Sequence, residues 1–282
     1  MMAFEYVHPT EWKDAHRLLA TEGSVAMMGG CDVLTKYRSG RLSKDLVVDL
    51  KHLSGLSEFE VSNLGANIGA ATTLMKLATN SAFASYWPTI STVASRIASP
   101  AIRASATIVG NIAQNWSVSD LVPLLEVCDA ELVVRGLTGD RRISMKDYGV
   151  AHSNSTLEKG EIIFALLIGM PEPERHTVYE RFTFKSGFDL PLVSIAISAI
   201  VRIGICSEVR VAVVGAHDMP IRSVSIESAL EGRAIDKDSI DAAVLAMSDW
   251  SSPTTDFRAS SQYRRYLLTV VLRKALIRFS AF

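Results

Sequence analysis

Cysteine is scarce. The 282 residues include only 3, Cys31, Cys128 and Cys206, which are far apart and odd in number. That usage fits reduced thiols in a cytoplasmic protein. It also excludes an iron–sulfur cluster of the four-thiolate kind held by this chain alone, so any such cluster belongs to another subunit. No apolar run reaches the ~18 residues of a membrane-spanning helix. The N-terminal stretch MMAFEYVHPTEWKDAHRLL carries charges and a proline where a signal peptide has its apolar core. A net charge of −1 with dispersed basic residues gives no basis for nucleic-acid binding. The histidines, His8, His16, His52, His152, His176 and His217, show no metal-ligand spacing. Gly-x-Ser-x-Gly and Walker motifs are missing, so hydrolase and NTPase readings have no support. No internal repeat or low-complexity segment is present.

What remains is a chain that is 48% hydrophobic and 21% charged, able to bury a substantial core. Its length suits a subunit of two or three lobes. Residues 10–21 read as an amphipathic helix with Thr10 as N-cap and Trp12, Ala15, Leu18 and Leu19 on its apolar stripe. Val25–Met28 reads as a strand entering Gly29-Gly30, Asp32 as the cap of a short helix, and Leu46–Leu50 as a second strand. Together they make a small βαβ-like lobe. A second, mixed α/β lobe follows. Its strands are expected at 58–62, 67–70, 131–135, 142–144 and 161–168, and its helices at 73–79, 88–98 and 121–127. Met170-Pro171-Glu172-Pro173-Glu174 reads as a linker. Three strands then precede three helices, at 226–230, 239–247 and 262–279, which suggests an α+β lobe with an antiparallel sheet. The expected division is 1–55, 56–170 and 176–282, α+β throughout.

Two small-residue stretches carry the chemistry. Met28-Gly29-Gly30-Cys31-Asp32 follows a strand, and Ala106-Thr107-Ile108-Val109-Gly110-Asn111 is followed nine residues later by Asp120. Backbone N–H groups in turns without bulk neutralise a pyrophosphate cheaply. Either stretch alone is equally a structural turn. Their order and spacing resemble the FAD-binding medium subunit of molybdenum hydroxylases, the family of xanthine and carbon monoxide dehydrogenases, over nearly the whole chain. The family pattern Ala-Gly-Gly-Thr-Asp-Leu stands here as Met28-Gly29-Gly30-Cys31-Asp32-Val33. The longer pattern Ser-Pro-x-Ile-Arg-Asn-x-Ala-Thr-Ile-Gly-Gly-Asn stands as Ser99 to Asn111, with Asp120 in place. Phe257-Arg258-Ala259-Ser260 and Tyr263-Arg264-Arg265 look like the family's closing segment.

The resemblance implies a two-lobed FAD-binding domain and a C-terminal α+β domain of three antiparallel strands and helices. By position, Met27, Met28, Gly29, Gly30, Cys31, Asp32 and Val33 wrap the FAD pyrophosphate. Ile97 and Ala98 line the flavin or its chain, and Thr107, Gly110 and Asn111 bond the phosphates and ribityl region. Asp120 accepts from a sugar hydroxyl, Ile162 and Ile163 flank the adenine, and Arg181, with Lys185 as the other candidate, lies near the isoalloxazine. The implied function is electron transfer within an oxidoreductase complex. Iron–sulfur clusters of a small 2Fe-2S subunit, fed by a molybdenum-cofactor large subunit, reduce the FAD, which passes electrons to an acceptor such as NAD. A stand-alone flavin oxidoreductase and a flavin-free structural subunit are the alternatives.

The chain departs from the family pattern at Val109, which replaces a Gly and demands ordinary backbone angles, at Ala104, which replaces an Asn, and at Trp116 and Ser117. Trp116 either stacks on a ring or packs in a core or subunit interface. Phe184 or Phe188 either covers a flavin face or packs in a hairpin. Asp189 pairs with Arg181 or Lys185, or serves as a turn residue. Cys31 is either a thiol of lowered pKa or a small residue standing in for Thr. Arg264, Arg265, Arg273 and Lys274 lie on a terminal helix that either packs with a solvated face or docks a partner.

Overall fold

The computed structural model describes residues 4–113, 119–150, 156–185 and 189–282. Strand β1 (Glu5–Val7), helix α1 (Trp12–Ala20), strand β2 (Ser24–Met27), helix α2 (Val33–Arg38) and strand β3 (Leu46–Asp49) open the chain. The strands form a parallel sheet in the order β1-β3-β2. This is the expected βαβ lobe with one strand added at its edge. β1 is too short for its alternation to register in the sequence. Glu11, not Thr10, precedes α1, and it makes no side-chain cap.

The second group runs β4 (Phe59–Ser62), β5 (Gly65–Gly69), α3 (Leu74–Thr79), α4 (Ser81–Tyr86), α5 (Pro88–Arg96), α6 (Pro100–Ser105), α7 (Ile108–Ala113), α8 (Val122–Val127), β6 (Glu131–Gly136), β7 (Gly139–Ser144), α9 (Met145–Val150) and β8 (Ile162–Gly169). Its strands pair antiparallel in the order β4-β5-β8-β6-β7. β8 is central and mostly buried, as its apolar run requires. Thr73 caps α3 by accepting from Lys76 N–H, and Asn80 caps α4 by accepting from Phe83 N–H. The main core lies here, with Ile68, Leu77, Phe83, Ile90, Ile108, Ile112 and Leu124 among its fully buried members.

The third group comprises β9 (Arg175–Phe182), β10 (Val193–Arg202), β11 (Ile205–Val214), β12 (Ile221–Arg222), α10 (Val224–Leu230), α11 (Lys237–Trp250) and α12 (Ser261–Phe279). The antiparallel sheet has the order β12-β11-β10-β9, one short strand more than expected. β10 is buried on both faces over eight successive residues, covered by α12 and α8. Ser260 caps α12 by accepting from Tyr263 N–H. The preceding Phe257-Arg258-Ala259 turn is pinned by Asp256, which accepts from the N–H of Arg258 and of Ala259. Arg264 is 4% exposed, donates to Leu192 O and pairs with Asp256. Arg273 pairs with Asp241, and Lys274 with Glu180. The polar side of α12 is thus tied to its own chain at these positions. No helix among the described residues is long and apolar enough to cross a membrane.

Candidate functional site: a cleft between two small-residue segments

Parallel strand β2 ends at Met27, whose carbonyl accepts from Leu50 N–H. The chain then turns through Gly29 and Gly30. Gly30 has φ 71°, a left-handed value that glycine adopts without steric cost. Gly29 is required by proximity: a Cβ on it would lie 2.1 Å from the Ser105 carbonyl oxygen. The two segments recognised in the sequence therefore touch, main chain to main chain. Among the described residues nothing accepts from the successive N–H groups of Gly29, Gly30, Cys31 and Asp32.

The second segment is built differently. α5 ends at Arg96 with Ile97 as its C-cap, and Ala98 takes φ 46°, a left-handed conformation that is uncommon for a residue with a side chain. Arg103 holds it there, donating to the carbonyls of Ile97 at 2.8 Å and Ala98 at 2.6 Å. Ser99 caps α6. Thr107 then bridges Thr73, and α7 begins. Gly110 and Asn111 are helical, not part of a tight turn. Thr107 Oγ1 accepts from Gly110 N–H at 3.1 Å, and a Cβ on Gly110 would sit 2.8 Å from that oxygen. Val109 is 4% exposed and belongs to the main core. Its ordinary helical angles remove the conflict expected at that position. Asn111 Oδ1 accepts from Ser119 Oγ, which in turn accepts from Val122 N–H.

Between these segments lies a cleft of about 470 Å³. Met27, Met28, Gly29, Gly30, Cys31, Asp32, Val33, Ile97, Ala98, Thr107, Gly110, Asn111, Asp120, Ile162 and Ile163 all line it. Residues far apart in sequence are thus brought to one place. Arg181 and Lys185 do not line it. Arg181, on β9, reaches the cleft only through Asp120, donating to its two oxygens at 3.0 and 2.9 Å. The Tyr179 hydroxyl donates to the same carboxylate. The Asp120 carboxylate is therefore already engaged by two groups of the C-terminal sheet. Burial pushes its pKa up, while Arg181 and Tyr179 pull it back. Burial and the neighbouring Asp120 hold Tyr179 well above its usual range.

Other expectations resolve plainly. Asp32 makes no cap bond and pairs instead with Lys36 at 2.8 Å. The Cys31 thiol is pushed up, not down: burial outweighs the local backbone bond, and Asp32 adds to the rise. Asp189 is a turn residue that accepts from the N–H of Phe184, Lys185 and Leu190, and it pairs with neither Arg181 nor the Lys185 side chain. Phe184 is exposed. The readings of Trp116, Ser117 and Phe188 fall outside the described residues. No group of three or more potential metal ligands occurs among the described residues. Sequence reading missed Arg41, Leu157 and Glu161, which also line the cleft. Glu161 adjoins Ile162 and Leu157 lies five positions before it, so proximity to the Ile162-Ile163 pair was the available signal. Arg41 offered none.

These features suit a dinucleotide. Open N–H donors serve a pyrophosphate, a side-chain-free approach brings the backbone close, and Ile97, Ile162 and Ile163 offer apolar surface to rings. A mixed α/β fold with a glycine turn after a parallel strand defines the class. The family described as "FAD binding domain in molybdopterin dehydrogenase" matches residues 2–171, and "CO dehydrogenase flavoprotein C-terminal domain" matches residues 179–279. The chain belongs to this family: it is an FAD-binding subunit of the molybdenum hydroxylase oxidoreductases. It is 28% identical to the 6-hydroxypseudooxynicotine dehydrogenase complex subunit alpha of Paenarthrobacter nicotinovorans, covering 97% of this chain and 93% of that one. It is 27% identical to the carbon monoxide dehydrogenase medium chain of Afipia carboxidovorans, covering 99% and 97%. A solved structure of reconstituted CO dehydrogenase from Oligotropha carboxidovorans superposes with a TM-score of 0.93 at 26% identity, covering 99% of this chain and 98% of its counterpart.

Proposed function

We propose that the cleft holds FAD as the electron-transfer station of a heteromeric complex. The complex pairs this chain with a molybdenum-cofactor large subunit and a small 2Fe-2S subunit, and NAD is a terminal acceptor. The observation that carries this reading is the run of open N–H donors at Gly29–Asp32 facing the Thr107–Asn111 segment across one cleft. Residues 1–55 and 56–170 form the two FAD-binding lobes, and 176–282 form the closing domain. Met27 to Val33 donate to the pyrophosphate, and Thr107, Gly110 and Asn111 meet phosphates and the ribityl chain. Ile97 and Ala98 contact the flavin side, and Ile162 and Ile163 the adenine. Arg181 fixes Asp120, which sets the wall of the cleft near the sugar. Lys185 lies outside the cleft lining and is given no contact with the cofactor. Bound FAD supplies the chemistry, exchanging single electrons on one side and an electron pair on the other. The chain needs no acid or base of its own; it binds, orients and shields. Free thiols suit the reducing cytoplasm, where we place the complex.

The visible spectrum of the purified chain tests the cofactor: flavin bands near full occupancy are expected, and their absence leaves a structural subunit. Co-purification with a molybdenum subunit and a ferredoxin-like subunit tests the assembly. Activity from this polypeptide alone makes it a stand-alone flavoenzyme. Turnover of the intact complex with NAD, oxygen and dyes identifies the acceptor.

A further inference from the structure

Among the described residues four charged ones line the dinucleotide cleft: Asp32, Arg41, Asp120 and Glu161. Each acid has its own cation. Asp32 pairs with Lys36 at 2.8 Å, Asp120 with Arg181 at 2.9 Å and Glu161 with Arg141 at 2.7 Å. Arg41 has no ionic partner among the described residues. Its Nε donates to Ser39 Oγ at 2.9 Å, and its two terminal nitrogens meet no described acceptor. Among the described residues the cleft therefore presents one uncompensated positive charge, and the open N–H groups of the first glycine turn line the same cleft.

The position of Arg41 is fixed by the chain. Helix α2 stops in a left-handed glycine cap. Gly40 has φ 69°, its N–H donates to Tyr37 O at 3.1 Å, and Arg41 N–H donates back to Lys36 O at 2.9 Å. The turn folds Arg41 against the end of the helix whose start carries Cys31 and Asp32. A guanidinium so placed lacks only an anion, and it suits phosphate oxygens through paired donors.

We propose that Arg41 is the counter-charge of the dinucleotide pyrophosphate, completing the anion site that the backbone N–H groups begin. This rests on the FAD reading above. The test uses the full chain stripped of flavin, with Arg41→Ala and Arg41→Lys beside the wild type. Dissociation constants for FAD come from flavin fluorescence. Those for ADP, which carries the pyrophosphate without a flavin, come from competition or calorimetry. R41A is expected to weaken both FAD and ADP roughly ten-fold, with R41K between, and the deficit shrinks as salt rises. Riboflavin binding and the thermal melt stay as in the wild type, because among the described residues the side chain meets no partner beyond Ser39. An unchanged FAD constant in R41A overturns the proposal, as does weakened FAD with unchanged ADP. A wild type that binds ADP through Arg41 but not FAD sinks the cofactor reading and leaves the pyrophosphate site standing. Binding of neither ligand overturns both.

Discussion

The two segments that face each other across the cleft look alike in sequence and are unlike in structure. The first, Met28–Val33, is an open turn in which, among the described residues, the N–H groups of Gly29 to Asp32 meet no acceptor. The second, Ala106–Asn111, is the start of a helix, stitched to its surroundings by Thr107, Asn111 and the buried Val109. One half offers donors; the other holds the first in place and supplies a rigid wall. Small residues thus serve two purposes that composition alone does not separate: access for a ligand, and close packing of main chain.

Substitutions can break that contrast at graded cost. Asp120→Ala has the largest expected effect. It strips Tyr179 and Arg181 of a buried acceptor, and removing one member of such a group costs about 3–5 kcal/mol. Chemical denaturation should show this, together with a lower flavin-to-protein ratio. Asp189→Ala, which frees only an exposed turn, is the control and should lose far less of both. Gly29→Ala comes next. Its Cβ would meet the Ser105 carbonyl oxygen at 2.1 Å, so the two segments must separate. A loss of about 3 kcal/mol and near-complete loss of bound FAD are expected. Val109→Gly restores the family pattern and, on this structure, harms the chain. It gives up the burial of a valine and puts glycine in a helix, for about 2 kcal/mol of destabilisation, with the FAD dissociation constant little changed. An unstable variant with tighter FAD binding would instead mean that the second segment acts as a donor turn.

The smallest effect lies on α8, where it packs against the C-terminal sheet. Glu126 on α8 is 2% exposed, and its Oε2 has no hydrogen-bond partner among the described residues. Burial raises its pKa to about 8, against the pull of Arg222. The folded chain keeps a proton that the unfolded chain releases above its ordinary pKa of 4.5. The stability this group contributes is therefore complete below that value, falls as pH rises, and is fully lost above about 8. Glu126→Gln should remove that slope; the roughly 3 kcal/mol that holding the proton costs at pH ~7 is offset by about 1–3 kcal/mol for the buried unpaired amide, a net gain of roughly 1 kcal/mol, read from unfolding at several pH values.

Much of this molecule is legible in its residues, for local reasons. Gly29-Gly30 after an apolar strand announces a turn, the apolar run of β8 announces a buried strand, and Ser99-Pro100 marks a boundary. The same logic misreads α6 and α7, because small residues and a glycine resemble a turn while tertiary contacts make them helical. The helix α6 starts at Pro100, where the sequence suggested only an end. β1 and β12 escape notice because strands of three and two residues carry no period. At the site, residues inside contiguous motifs were readable. Arg41 was not, since its place depends on a glycine cap folding it back. The partners of Asp120 were not readable either, since they lie on a sheet formed some sixty positions later.

That last contact sets how the protein holds together as a whole. Asp120, in the wall of the cleft, is contributed by one half of the chain and gripped by the other. Cutting after residue 171 would leave Asp120 with neither Tyr179 nor Arg181 to meet it. The halves should therefore be interdependent in folding and melt in a single transition. A ligand seated against Asp120 should raise the melting temperature of the distant C-terminal sheet as much as that of its own walls. Occupancy of the cleft is then reported at the far side of the subunit without any moving part.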